Sequence, residues 1–252
     1  MMTKVKTLGE LDAMRVSGQM LAAILQLLKA KTEAGCSTKY LADLAAEELR
    51  RLGGQPTFLG YQGFPDVLCA SINQEVVHGI PSPSKIIKAS DIVSLDFGVT
   101  YNGMVTDSAL SFIVDKAIKP EHQQLVEATE RAMYAGIDVL KDHVRTGDIG
   151  AAVEMSLGQN NYGVVRDLVG HGVGHHMHEE PNVPNYGHAG SGTVLAAGMT
   201  IAIEPMATLG GYQVVGSDDG WTIITKDGSL SAHFEHSVLI TQSGAEILTA
   251  LA

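Results

Sequence analysis

The chain carries only two cysteines, Cys36 and Cys69, among 252 residues. Two thiols cannot build a disulfide framework or a multi-cysteine zinc module, and a reducing, cytoplasmic setting fits them. Cations are scarce as well: 17 Lys and Arg face 28 Asp and Glu, a formal net charge of −11. A surface of that sign repels phosphate backbones and argues against nucleic acid as a main partner. Long hydrophobic runs are missing. The segment Met1-Met2-Thr3-Lys4-Val5-Lys6 has the positive charge of a signal peptide with no apolar stretch behind it. The run from Met20 to Leu28 is broken by Gln26 and too short for a bilayer, so no membrane address is expected. There is no His-Glu-x-x-His helix and no Gly-x-Ser-x-Gly elbow, which removes the support for a zincin or a serine hydrolase. Solenoid periods and low-complexity tracts are absent too.

What remains is an apolar fraction of 45% with 28 glycines, enough for one sizeable domain over residues 1–252. Helical spacing predicts a helix from about Glu10 to Lys31. A second follows a Ser37/Thr38 cap and closes at Gly53-Gly54. Two β-runs, Asp91–Thr100 and Met104–Val114, flank Asn102-Gly103, a strong hairpin signal. A long helix is expected from about Pro120 to Val144 and a shorter one from near Asp148. Three β-runs then follow: Met199–Leu209, Trp221–Thr225 and Ala232–Thr241. Helices, hairpin, helices and more antiparallel strands make an α+β pattern, without the alternation of a parallel sheet.

Acids stand inside these runs where a core strand should be apolar. Asp96 lies in Ile92-Val93-Ser94-Leu95-Asp96-Phe97, and Asp107 lies between Val105 and Leu110. Glu204 interrupts Ile201-Ala202-Ile203, and Glu235 precedes Val238-Leu239-Ile240. A buried, unpaired carboxylate costs several kcal/mol, and no Lys or Arg lies within these runs. Alternation could instead turn each acid toward solvent. All four together, with His171 in Gly170-His171-Gly172-Val173-Gly174-His175-His176-Met177-His178-Glu179-Glu180-Pro181, point to a divalent metal as counter-charge. Four carboxylates neutralise two divalent ions. Such a pair sits roughly 3.5–4 Å apart with a bridging hydroxide, a nucleophile suited to hydrolysing an amide or phosphoester. The negative net charge favours the amide.

These residues and their spacing resemble the type I methionine aminopeptidases of the short kind, over nearly the whole chain. The motifs are Asn73 to His78-Gly79-Ile80-Pro81; Asp96 and Asp107, eleven positions apart; Gly170 through Pro181; Ile203-Glu204-Pro205-Met206; and Ser231-Ala232-His233-Phe234-Glu235-His236. The resemblance implies a pita-bread fold, a curved antiparallel sheet flanked by helices with a pseudo-two-fold. It implies an N-terminal methionine, followed by a small residue, as substrate. By the same resemblance Asp107 and Glu235 bridge two ions, Asp96 chelates one, and His171 and Glu204 complete the other. Mn, Fe, Co and Zn all suit such donors. His178 would bind the substrate carbonyl and its oxyanion, His78 the scissile nitrogen, and Glu204 would also move protons. Phe58, Tyr61, Phe64, Cys69, Met177 and Trp221 would wall the methionine pocket. A monomer acting on nascent chains, with the ribosome as a partner, is the corresponding expectation.

The chain departs from the family at Thr106 and Ser108, where Gly and Thr commonly flank the second aspartate. It departs again at Leu168, where an aromatic or Met is usual, and at Glu75, one place later than common. An unusual residue at Thr106 could shift the local strand. Two other readings stay open: an Xaa-Pro aminopeptidase or dipeptidase of the same fold, and a non-catalytic binding protein on that scaffold.

Overall fold

The computed structural model describes residues 2–159 and 161–251. Among the described residues the α-helices are α1 Leu8–Lys31, α2 Thr38–Leu52, α3 Pro120–Asp138 and α4 Thr146–Gly158. Thr7 and Glu10 close a reciprocal capping box on α1. Ser37 caps α2, which stops at Gly53 in the left-handed region (φ 83°).

Strands Ile92–Tyr101 and Met104–Ile113 pair in unbroken antiparallel register from Ile92↔Ile113 to Tyr101↔Met104. Asn102 and Gly103 turn the hairpin with positive φ (48° and 77°), as the primed turns require. This hairpin belongs to a nine-stranded sheet. From it the sheet runs through Glu235–Ile240, Thr200–Ile203 and Gly170–Gly172 to Glu179–Val183. Thr106 pairs with Val99 in plain register and its hydroxyl meets Ser17 Oγ at 2.8 Å, so the departure there does not shift the strand.

Alternation decides the layers. Val93, Leu95, Phe97 and Val99 join the core under α1 and α2. Ile201, Ile203, Val238 and Ile240 join a second core under α3 and α4. The intervening residues, Asp96 and Glu235 among them, face the other side of the sheet, which is not open to water. There the short strand Ser231–His233 lies across the hairpin, held by Ser111 Oγ, which donates to His233 O and accepts from His233 N, both at 2.8 Å.

Three expectations are corrected. The helix begun at Pro120 ends at Asp138 rather than near Val144. Leu140 and Val144 still enter the core, but from an irregular segment in which His143 adopts φ 66°. The run Met199–Leu209 is two strands, Thr200–Ile203 and Met206–Thr208, in different sheets. Pro205, which lacks a backbone donor, stands at the break. The run Ala232–Thr241 likewise divides, into Ser231–His233 and Glu235–Ile240. The chain leaves the large sheet at Glu204 and re-enters it at Glu235, so both glutamates sit where the two sheets part.

Candidate metal centre and its cavity

The hairpin register brings the two aspartates together. Asp96 pairs with Ala109 and Asp107 with Gly98, so the two carboxylates are diagonal neighbours on one face. Glu235 also lies opposite Ala109, on the next strand, which adds a third acid to that face. Glu204 follows Thr200–Ile203, whose Ile203 pairs with His236. Gly172 pairs with Ile201, which sets His171 on the adjacent strand. Gly98 contributes by being small: a Cβ there would meet the Phe58 ring at 2.6 Å, so the glycine lets Phe58 close over the strand.

All five residues converge. Asp96 is 9% exposed, Asp107 3%, His171 5% and Glu235 1%, which excludes the solvent-facing alternative. Donor atoms of Asp107, His171 and Glu235 lie within 4.8 Å of one another, and so do those of Glu204, His233 and Glu235. Glu204 stands between two imidazoles, with Oε1 3.8 Å from His171 Nε2 and Oε2 3.6 Å from His233 Nε2. Asp96 Oδ1, Asp107 Oδ1 and Glu235 Oε1 are buried without a hydrogen-bond partner. Among the described residues no Lys or Arg pairs with any of the four acids. Burial raises all four. Asp96 rises to about 7 and Glu204 to about 8, while Asp107 and Glu235 go well above the carboxylate range, with neighbouring acids adding to the burial of both. Hard oxygens with orphaned lone pairs, plus one imidazole, fit divalent cations.

His171 offers a neutral ring nitrogen to this cluster. Burial lowers it to about 3, so it is neutral, and its Nδ1 lies 2.9 Å from Gly172 O. With Nδ1–H donated to that carbonyl, the Nε2 lone pair faces the acids.

A cavity of about 180 Å³ opens beside the acids. Its lining includes every expected wall residue: Phe58, Tyr61, Phe64, Cys69, Met177 and Trp221. Phe64 packs edge-on against both Phe58 and Trp221, at 6.4 and 5.2 Å between ring centroids. His78 and His178 line it too, and burial lowers the pKa of each, His78 to about 4. The His178 ring lies 4.4 Å from that of His171, tilted by 60°, and its Nδ1 lies 2.8 Å from the Tyr61 hydroxyl. Leu168, one of the departures, also lines the cavity, with Val77 and Met206. His233 was not singled out from sequence, although it stands two residues before Glu235 and is 1% exposed. Its signal was that spacing, hidden by the strand break at Phe234.

The metallopeptidase family M24 model matches residues 12–242. A methionine aminopeptidase of Clostridium perfringens is 44% identical over 245 residues, covering 97% of this chain and 98% of that protein. The crystal structure of methionine aminopeptidase from Thermotoga maritima superposes with a TM-score of 0.97 at 40% identity, covering 99% of this chain and 100% of that one. The Pyrococcus furiosus prolidase shares the fold at TM-score 0.79 and 22% identity, over 98% of this chain and 66% of its own.

Proposed function

The chain belongs to metallopeptidase family M24, with its methionine aminopeptidases, and from that premise we propose that it removes the N-terminal methionine of peptides and nascent proteins. The observation that carries this reading is the convergence of four buried acids and one neutral histidine on a cavity walled by aromatic and sulfur side chains.

Two divalent ions fit the donor set. Asp107 and Glu235 would be shared between them, Asp96 would hold one, and His171 with Glu204 would hold the other. Bound there, the ions would supply Lewis acidity, which makes water a nucleophile at neutral pH and polarises an amide carbonyl. The remaining work belongs to the protein. The methionine side chain enters between Phe64, Cys69, Met177 and Trp221, where an unbranched apolar chain is accommodated. His178, held at Nδ1 by Tyr61, presents Nε2 to the substrate carbonyl and the oxyanion that forms from it. His78, which also lines the cavity, would contact the scissile nitrogen. Because burial keeps both imidazoles neutral, each can donate a proton in a hydrogen bond without carrying charge into the site. Glu204, a carboxylate between the His171 and His233 imidazoles, would take a proton and pass it on. A methionine-first nascent chain as substrate places the reaction in the cytoplasm.

Incubation with Met-Ala-Ser and with Ala-Pro, each with a chelator or with added Mn or Co, tests the reading. Release of methionine alone, abolished by the chelator, is expected. Cleavage confined to the Xaa-Pro bond would move the substrate assignment. No turnover with any metal would leave a binding protein.

A further inference from the structure

We infer that His233 is the outer partner of Glu204, donating Nε2–H to carboxylate oxygen Oε2 and fixing the orientation in which Glu204 meets a metal ion. This rests on the reading of Glu204 as a ligand. Two histidines flank that carboxylate, and they are wired differently. His171 has Nδ1 2.9 Å from Gly172 O and Nε2 directed at the acids, the arrangement of a ligand whose other N–H is satisfied. His233 has no such carbonyl. Both of its ring nitrogens are buried without a hydrogen-bond partner, and Nε2 lies 3.6 Å from Glu204 Oε2.

A neutral imidazole has one donor and one acceptor, and the two tautomers of His233 are not equivalent here. With the proton on Nδ1, a buried N–H is orphaned and the Nε2 lone pair faces a carboxylate. With the proton on Nε2, the donor meets Oε2 and only a lone pair on Nδ1 is left over. Orphaned buried donors are rarer than under-satisfied acceptors, so the second tautomer is the stable one. The same reasoning disfavours His233 as a ligand through Nε2, which would require the orphaned Nδ1–H. At 3.6 Å the two atoms stand just beyond hydrogen-bond distance, and the proposed bond requires the Glu204 carboxylate to move a few tenths of an ångström toward Nε2. The backbone of His233 is held independently, by Ser111 Oγ on both its N–H and its C=O, and its side chain is 2% exposed.

Calorimetric titration of the chelator-stripped protein with Mn²⁺ alone tests this without reading activity. His233→Leu should weaken Mn²⁺ binding by roughly 10–100-fold, the usual effect of losing an outer partner. His233→Gln, which keeps an N–H donor, should recover most of that loss. Electron spin echo spectra of the Mn²⁺-loaded wild type should show one coordinated imidazole nitrogen, still present in His233→Leu. Unchanged affinity in His233→Leu overturns the inference, as does a second imidazole nitrogen that disappears in that variant. Glu204→Gln separates the two levels. If it leaves Mn²⁺ affinity unchanged, the ligand reading of Glu204 fails; if it weakens binding while His233→Leu does not, only the inference fails. Should His233→Leu lose its cooperative thermal transition, His233→Phe, a ring without a donor, replaces it.

Discussion

The loop that carries Met177 and His178 is fastened from the far end of the chain, and Lys6→Met probes that fastening. Lys6 Nζ donates to Glu179 Oε2 at 3.3 Å, Thr3 Oγ1 at 2.9 Å and Lys4 O at 3.0 Å. The side chains of the pair are 0% and 2% exposed. Glu179 Oε1 accepts from the His176 backbone at 2.9 Å, so the pair closes the turn on which His178 stands. The Lys6 stem also packs where a Cβ on Gly174 would lie, and methionine keeps much of that volume. The substitution therefore removes a charge and leaves Glu179 buried without its lysine, with the His176 N–H and, 3.7 Å away, His175 Nδ1 among its remaining neighbours. Breaking a buried pair from one side costs about 3–5 kcal/mol. For a chain of this size that lowers the unfolding midpoint by roughly 6–20 °C. Urea and thermal unfolding followed by circular dichroism measure it. The companion Lys6→Met/Glu179→Leu should regain most of the loss, because replacing both charges by apolar groups is often neutral or stabilising. A Lys6→Met protein within about 1 kcal/mol of wild type, or a double variant no better than the single, would refute the reasoning.

Asp107→Ala should abolish binding of both ions together, because a shared ligand serves each; elemental analysis still giving two metals per chain would contradict this. His178→Ala should retain its metals and lose roughly two or more orders of magnitude in kcat, the cost of an oxyanion donor; near-normal turnover would remove His178 from the mechanism. The pH dependence of the stripped protein has a definite sign. Asp96 and Glu204 are raised to about 7 and about 8 from ordinary values of 3.8 and 4.5, so the folded state holds protons that the unfolded chain releases. The buried histidines, lowered from 6.5, act in the opposite sense below that pH, so the acids decide the sign only above it: stability falls as pH climbs from about 6.5 to about 8, and the stabilisation from added Mn²⁺ grows over the same window. Thermal unfolding with and without Mn²⁺ checks this, and a stripped protein that gains stability over that range would sink it.

Local chemistry was legible in the chain itself. Asn102-Gly103 fixed a two-residue turn, that turn fixed the register, and the register made Asp96 and Asp107 diagonal neighbours. Ser37 and Gly53 bounded α2 because a side-chain acceptor and a left-handed residue are what helix ends require. The cost of burying acids among apolar residues was enough to suggest a metal centre before any coordinates. What alternation could not reveal was whether the acid-bearing face met water. Only the fold answers that, by laying Ser231–His233 across it and burying Glu235 to 1%. The same limit hid His233, whose neighbour Glu204 is 29 residues away, and the Lys6–Glu179 pair, 173 residues apart. Periodicity and capping act over a few residues and are therefore written in the sequence. Which distant side chains share a buried site depends on how the sheets curve and part, and tertiary packing alone decides it.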